Sequence, residues 1–297
     1  MTKSRRIEYV CDFDGTCDDI LKQKGISSSI RVMLRKRMGL VCLLEDGREI
    51  PVILTKRLSK GDRICIYLED DDIVHIPPCD TNINIVYEDE DIAVIDKPAG
   101  IAVIPVKNHY GRSLANCLAN IWGDFVYRPV NRLDRDTSGL MIVAKNSLAH
   151  SLLTGKTTRQ YLALCQGVFD KEKHPLKGTI DKPLARMENS MKRYVSDDGE
   201  RAITHYEFIK QYDEYFLCRF LLETGRTHQI RVHISDMGYP LCCDKLYNDF
   251  AHPVVCPSGK ILDRQALHSF SLAFKHPLMG KDMYFESKPE FCKDSDF

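Results

Sequence analysis

A chain of 297 residues, 43% hydrophobic and 28% charged, is long enough for one large domain or for a large and a small one, and its composition is that of an ordinary soluble protein. Its 42 Lys and Arg are balanced by 42 Asp and Glu, so the whole-chain field gives no argument for a polyanionic partner and any nucleic-acid contact must rest on local patches. Its 12 cysteines follow a charged opening with no apolar leader, which reads as a reducing, cytoplasmic location; no uncharged stretch reaches membrane-spanning length, and no spaced C-x-x-C pairs face each other as a zinc site requires, so no metal is expected.

The first segment of note is Cys11-Asp12-Phe13-Asp14-Gly15-Thr16. It resembles the D-x-D-G-T nucleophile loop of haloacid-dehalogenase-like phosphatases, in which Asp12 would attack phosphate beside Mg²⁺. That fold needs repeated strand-helix units after the loop, and none follow here. Instead Ser27, Ser28 and Ser29 can cap a helix over IRVMLRKRMG, with Ile30, Met33 and Leu34 on one face and Arg31, Arg35 and Lys36 on the other. LVCLLEDGREIPVIL then reads as two strands around an Asp46-Gly47 hairpin turn, and Lys60-Gly61-Asp62 as a turn before the strand RICIYL. The acidic stretch EDDDIVHIPPCDTN, with Pro77-Pro78, marks a boundary between a small unit, 1–76, and a large one, 77–297.

Beyond the boundary, INIVYEDEDIAVIDKPAGIAVIP gives two strand patterns with Lys97-Pro98-Ala99-Gly100 as a tight bend. SLANCLANIWG reads as a helix, GLMIVAKN and RQYLALCQGVF as buried strands, and RAITHYEFIKQYDEYFLCRFLLETG as alternating strands. QIRVHISDMG passes from a strand-like to a helical pattern. The sum is an α+β domain, a mixed sheet dominated by antiparallel strands, without β-α-β repetition or internal repeats.

Chemistry concentrates in three stretches. Arg128 to Leu140, RPVNRLDRDTSGL, is a charged turn feeding the apolar run MIVAK, which places Asp134 at a strand edge; on its own such an aspartate is usually a solvated turn residue. KTTRQYLAL sets Tyr161 in an apolar strand, which also suits a plain core tyrosine. In TGRTHQIRVH, Ile230 and Val232 alternate with Arg231 and His233, so on a strand Arg231 would share a face with His233 and present a cation to a carboxylate. His228 and His233 suit a structural role or a contact with RNA better than acid-base work.

These stretches, taken in order, resemble the RluA family of pseudouridine synthases: DKPAG, NRLDRDTSGL, QYLALCQG, LETGRTHQIRVH with GYPLCCDKLY, and the closing QALHSFSLAFKHP. The likeness runs from about Ile83 to Phe285. It implies a pseudouridine synthase fold, an isomerase that needs no cofactor, and RNA as the partner of a monomeric enzyme. The substrate would be ribosomal RNA of the large subunit or, alternatively, transfer RNA; a catalytically silent RNA-binding or ribosome-assembly protein is the remaining reading. It makes Asp134 the catalytic carboxylate, Tyr161 the aromatic beside the target base and Arg231 the ion-pair partner of Asp134. Arg132 would fill the space left by a flipped nucleotide, Ile230 would wall the pocket and His228 would lie against substrate. The basic helix and hairpin resemble more loosely an S4-type RNA-binding domain, in which Arg31, Arg35 and Lys36 would touch phosphate. Two departures stand out: Asn131 where the family often has His, and Cys243 before Asp244 where it often has Gly.

Overall fold

The computed structural model describes residues 5–36, 41–68, 75–105 and 111–296. The end of the basic-helix pattern, 37–40, and the first six residues of the acidic stretch at the boundary, 69–74, lie outside them.

The first unit is a four-stranded antiparallel sheet in the order Arg5–Val10, Arg63–Leu68, Val41–Glu45, Arg48–Pro51. Asp46 and Gly47 both take positive φ, 47° and 77°, as the two-residue turn joining twisted strands requires. Helix α1 (Cys17–Gln23) and helix α2 (Ser28–Lys36) pack on this sheet through Ile20, Leu21, Ile30 and Leu34, which share a core with Ile7, Ile64 and Ile66. Leu148 of the later chain joins the same core. Asp91 ties the two parts together: its buried carboxylate accepts from Arg5 Nε at 2.8 Å and from Asn146 Nδ2 at 2.8 Å.

The rest of the molecule is built on a ten-stranded mixed sheet. Its main path runs Lys177–Asp181, Ile203–Gln211, Tyr215–Leu222, Thr158–Gln166, Leu267–Lys275, Ser138–Ala144, Ile92–Lys97, Asn84–Glu88. Neighbours on this path are antiparallel except Ser138–Ala144 and Leu267–Lys275, which meet in parallel through Ser138 with His268 and Gly139 with Ser269. That meeting explains a glycine. Gly139 has φ 107°, and a Cβ there would fall 2.3 Å from the Ser269 carbonyl oxygen, so no side chain can enter. Three helices accompany the sheet: α3 (Leu114–Trp122), α4 (Ser147–Leu153), whose first turn is capped by Asn146 Oδ1 accepting from the Ala149 N–H at 2.8 Å, and α5 (Gln229–Asp236).

The α+β expectation and the antiparallel bias hold, and the bend at Lys97 to Gly100 stands where the sequence puts it, with Gly100 at φ 86°. The stretch after Thr227 differs. It is helical from Gln229 onward, with no strand-like start. Gln229 Oε1 accepts from the Arg226 N–H at 2.9 Å and the Thr224 hydroxyl at 2.8 Å, and His228 at φ 59° turns the chain into the helix. A side-chain-built turn of this kind overrides an alternation only a few residues long.

Candidate active site

The loop carrying Asp134 is held from several directions. Asn131 Oδ1 accepts the Ile142 N–H at 2.9 Å, the Thr137 N–H closes a turn on the Asp134 carbonyl at 3.1 Å, and Thr137 Oγ1 accepts from Gln265 Nε2 at 3.2 Å. From below, Lys97 and Gly100 reach the Arg135 carbonyl, with Lys97 Nζ at 3.0 Å and the Gly100 N–H at 2.9 Å. Lys97 is fully buried and donates also to the carbonyls of Pro98 and Ile101, so three acceptors meet its three N–H bonds. Burial, and secondly the repulsion of Arg264, pull its pKa down to about 7. The DKPAG bend is therefore the floor of the Asp134 loop.

Held this way, Asp134 Oδ2 receives Arg231 Nη1 at 3.0 Å from a residue 97 positions away in the chain. Arg231 is gripped more firmly by a second carboxylate: its Nε and Nη2 donate to Asp244 Oδ2 and Oδ1, each at 2.7 Å, a bidentate pair with Asp244 wholly buried. Burial opposes the charge of Arg231, but the bonds to Asp244 and the attraction of both carboxylates outweigh it and hold its pKa above the ordinary value. The guanidinium carbon also lies 5.0 Å from the centre of the Tyr247 ring.

The face-sharing inferred from a strand at 229–233 does not hold. On α5, Arg231 and His233 are two positions apart and point away from each other. His233 is spoken for elsewhere, with Nδ1 2.8 Å from Thr204 Oγ1 and Nε2 2.9 Å from the Lys182 carbonyl. The histidine near the carboxylate is His228, its Nε2 3.9 Å from Asp134 Oδ2. Burial lowers its pKa and so favours the neutral ring, against the opposing pull of Asp134. The Tyr247 hydroxyl accepts the Arg193 N–H and lies 2.8 Å from His228 Nδ1; giving its proton there leaves the Nε2 hydrogen facing Asp134.

These groups open on a cleft of about 520 Å³, inside the roughly 300–1,000 Å³ usual for small-molecule sites. Asp134, Tyr161, Ile230, Arg231, Arg132 and His228 all line it. Tyr161 is 4% exposed and belongs to the core as well, so it is both packing residue and pocket wall. Burial pushes its hydroxyl pKa up, partly opposed by the charge of Arg159. Ile230 is 3% exposed. Arg132 is exposed and makes no hydrogen bond or ion pair among the described residues.

Lys97, Arg159, Asp244 and Tyr247 belong to the arrangement but escape the sequence reading. The sequence does mark one of them: Asp244 follows Cys243, which adopts φ 59°, the left-handed turn a glycine would take there. The first unit converges less. Arg31 donates to the Ile26 carbonyl at 2.8 Å and pairs with Asp18 at 3.2 Å, and Arg35 reaches the same Asp18 at 3.5 Å, so only Lys36 of the three stands exposed without such a tie. The D-x-D-G-T string is a turn and cap: Asp12 pairs with Lys24 at 2.6 Å, Asp14 accepts the Lys60 N–H at 2.6 Å, and Thr16 caps α1. Side chains of metal-ligand type gather at Asp89, Asp91 and His276 and at Cys42, Glu49 and Cys65. Both groups lie away from the cleft, the first engaged with Arg5 and Asn146 and the second, through Glu49, with Arg6 and Tyr67.

Residues 91–236 match the family model of RNA pseudouridylate synthase. An uncharacterised RNA pseudouridine synthase of Aquifex aeolicus (strain VF5) is 35% identical over 258 residues, covering 80% of this chain and 80% of that protein. Ribosomal large subunit pseudouridine synthase D of Haemophilus influenzae is 37% identical, with 81% and 78% covered, and its namesake of Pseudomonas aeruginosa is 41% identical, with 70% and 68% covered. Among solved structures, human RNA Pseudouridylate Synthase Domain Containing 1 aligns with a TM-score of 0.57 at 23% identity over 73% of this chain and 87% of that one, a likeness of fold.

Proposed function

Because the chain belongs to the RNA pseudouridine synthase family, we propose that it isomerises uridine in large-subunit ribosomal RNA, with Asp134 as the catalytic carboxylate. In this isomerisation the N1–C1′ bond of a uridine breaks, the uracil turns in place, C5 bonds to C1′, the C5 hydrogen leaves as a proton and N1 takes one up. Nothing is oxidised or reduced. Cleavage develops positive character on the sugar and negative character on the uracil, and an ionised carboxylate at C1′ can stabilise that cation, attack it, or remove the C2′ proton. All three roles use the carboxylate of Asp134, and the guanidinium of Arg231 donates to it at 3.0 Å, a cation beside the group that must face the developing charge. This ion pair at the cleft is the observation that carries the reading.

Around it, Tyr161 offers a ring face to the uracil, Ile230 an apolar wall, and His228 a polar edge near the carboxylate. Reaching the cleft requires the target base to leave its stack, at a cost of a few kcal/mol that new contacts must offset. Arg132, exposed and untethered at the cleft, can take the vacated space. Residues 1–76 act as an S4-like RNA-binding domain through Arg31, Arg35 and Lys36, giving salt-sensitive affinity with little sequence choice. The enzyme works as a monomer in the cytoplasm, a setting in keeping with 12 cysteines that are all free thiols.

The test is a map of pseudouridines in total RNA from cells with and without this protein, restored with wild type or with Asp134→Asn. A site in large-subunit RNA that returns with wild type alone is the expected result. A site in transfer RNA would correct the substrate, and identical maps would overturn the enzymatic reading.

A further inference from the structure

Of the arginines on the cleft, Arg231, Arg135 and Arg226 are each neutralised by a carboxylate, Asp134 with Asp244, Asp136 and Glu200 respectively. Arg159 is not. It stands two residues before Tyr161 on the Thr158–Gln166 strand, and both line the cleft. Its Nε is buried without a hydrogen-bond partner, and no carboxylate pairs with it among the described residues. Its terminal nitrogens lie against Gly225, where an added Cβ would come within 3.3 Å of Nη1 and 3.4 Å of Nη2. Gly225 thus leaves room for this guanidinium, in the loop that leads to His228 and Arg231.

A half-buried guanidinium with no counter-ion is unfavourable in the free protein, because the neighbouring Tyr161 hydroxyl replaces its lost hydration only in part and Nε has no partner. The deficit is removed when an anion arrives, and Arg is the side chain best suited to grip a phosphate through two nitrogens. A uracil ring carries no net charge, so the anion that an RNA brings to this cleft is its backbone. The geometry points to Arg159 as a substrate-binding residue that anchors a phosphate of, or next to, the nucleotide taken into the cleft. This rests on the pseudouridine synthase reading. It divides the cleft by charge: the carboxylate and its tethered arginine face the sugar, while Arg159 takes the backbone beyond Tyr161.

The experiment uses the full chain and ribosomal RNA labelled with tritium at uracil C5, prepared from cells lacking the protein. Tritium release gives kcat and KM, and filter binding across a salt series on an Asp134→Asn background gives affinity without turnover. Release by wild type but not by Asp134→Asn tests the underlying reading separately. For Arg159→Gln the expected result is a KM and Kd raised roughly tenfold, as for loss of one charge-assisted bond, with kcat changed by less than about threefold. The slope of log affinity against log salt should fall by about 0.7–0.9, the share of one phosphate, and Arg159→Lys should restore that slope. Gly225→Ala, which leaves the charge but crowds it, should show a smaller rise in KM with the slope retained. An unchanged salt slope and KM in Arg159→Gln would overturn the proposal, as would a loss confined to kcat, which would place the guanidinium on the reacting base instead. If Arg159→Gln does not fold, the Lys and Ala variants decide: unchanged KM in Gly225→Ala together with a lowered salt slope in Arg159→Lys counts against the phosphate.

Discussion

The two units of this molecule handle charge in opposite ways. In the first, ion pairs such as Arg6 with Glu49 and Arg63 with Glu8 lie on the surface, where solvent and salt screen them and they contribute little to stability. In the second, Asp134, Arg231 and Asp244 meet in a half-buried cleft from three separate stretches of chain, and Lys97 is sealed beneath them. A short motif acquires chemistry only where the fold brings distant residues onto it. The string Cys11 to Thr16 has the letters of a phosphatase loop but serves as a turn and helix cap, whereas NRLDRDTSGL is met by partners from far along the sequence.

The contrast can be broken most severely at Asp134. Asp134→Asn should lower tritium release by roughly 10⁴-fold, the scale on which loss of a central catalytic group is felt, while leaving the thermal midpoint within a few degrees. Next comes its support. Asp244→Asn leaves the buried guanidinium of Arg231 without its main counter-charge, and a loss of about 3 kcal/mol is expected in denaturant unfolding, with slower turnover. A stability loss below about 1 kcal/mol would show that Asp134 alone can hold Arg231.

Acid offers a comparable lever. Burial lowers the pKa of His268 to about 4, with Nε2 2.9 Å from the Ser287 carbonyl and Nδ1 2.8 Å from the Ser138 hydroxyl. The unfolded chain, with an ordinary pKa near 6.5, binds a proton that the folded chain refuses between about pH 6.5 and 4, so stability falls as pH drops through that window. The full effect is about 3 kcal/mol, and the burial of His228 and His233 acts in the same direction. His268→Gln should flatten the acid limb of a pH-stability curve; an unchanged limb would assign it to the other histidines.

The smallest effect belongs to the first unit. Asp12→Asn should leave pseudouridine formation unchanged and alter stability by no more than about 0.5 kcal/mol. A phosphatase activity with Mg²⁺ that this substitution removes would dissolve the contrast altogether.

The strands and the antiparallel bias are legible in the sequence because apolar runs such as YLALC are strand-length and bounded by turn signals, while RAITHYEFIKQ and YFLCRFLL read as paired strands joined by a polar turn. The ion pair of Asp134 with Arg231 is legible through resemblance alone, since nothing local links residues 97 positions apart. Where local pattern was asked to do more, it failed: four alternating residues at 230–233 suggest a strand, yet a hydrogen-bonded turn centred on Gln229 makes them a helix and sends His233 away from Arg231. Asp244 and Lys97 stand in stretches the sequence marks, but their roles as supports are not legible there, for a related reason. One looks like any turn carboxylate and the other like any surface lysine, and only burial by elements from elsewhere in the chain shows them as supports.

The double grip on Arg231 bears on what happens between turnovers. If Asp134 bonds to the sugar or takes up a proton, it ceases for a moment to be an anion, and a guanidinium that depended on it would be released into the cleft. Asp244, holding two nitrogens of its own, keeps Arg231 where it is throughout. On the role proposed for Asp134, Arg231 would then not have to be recaptured before the next RNA.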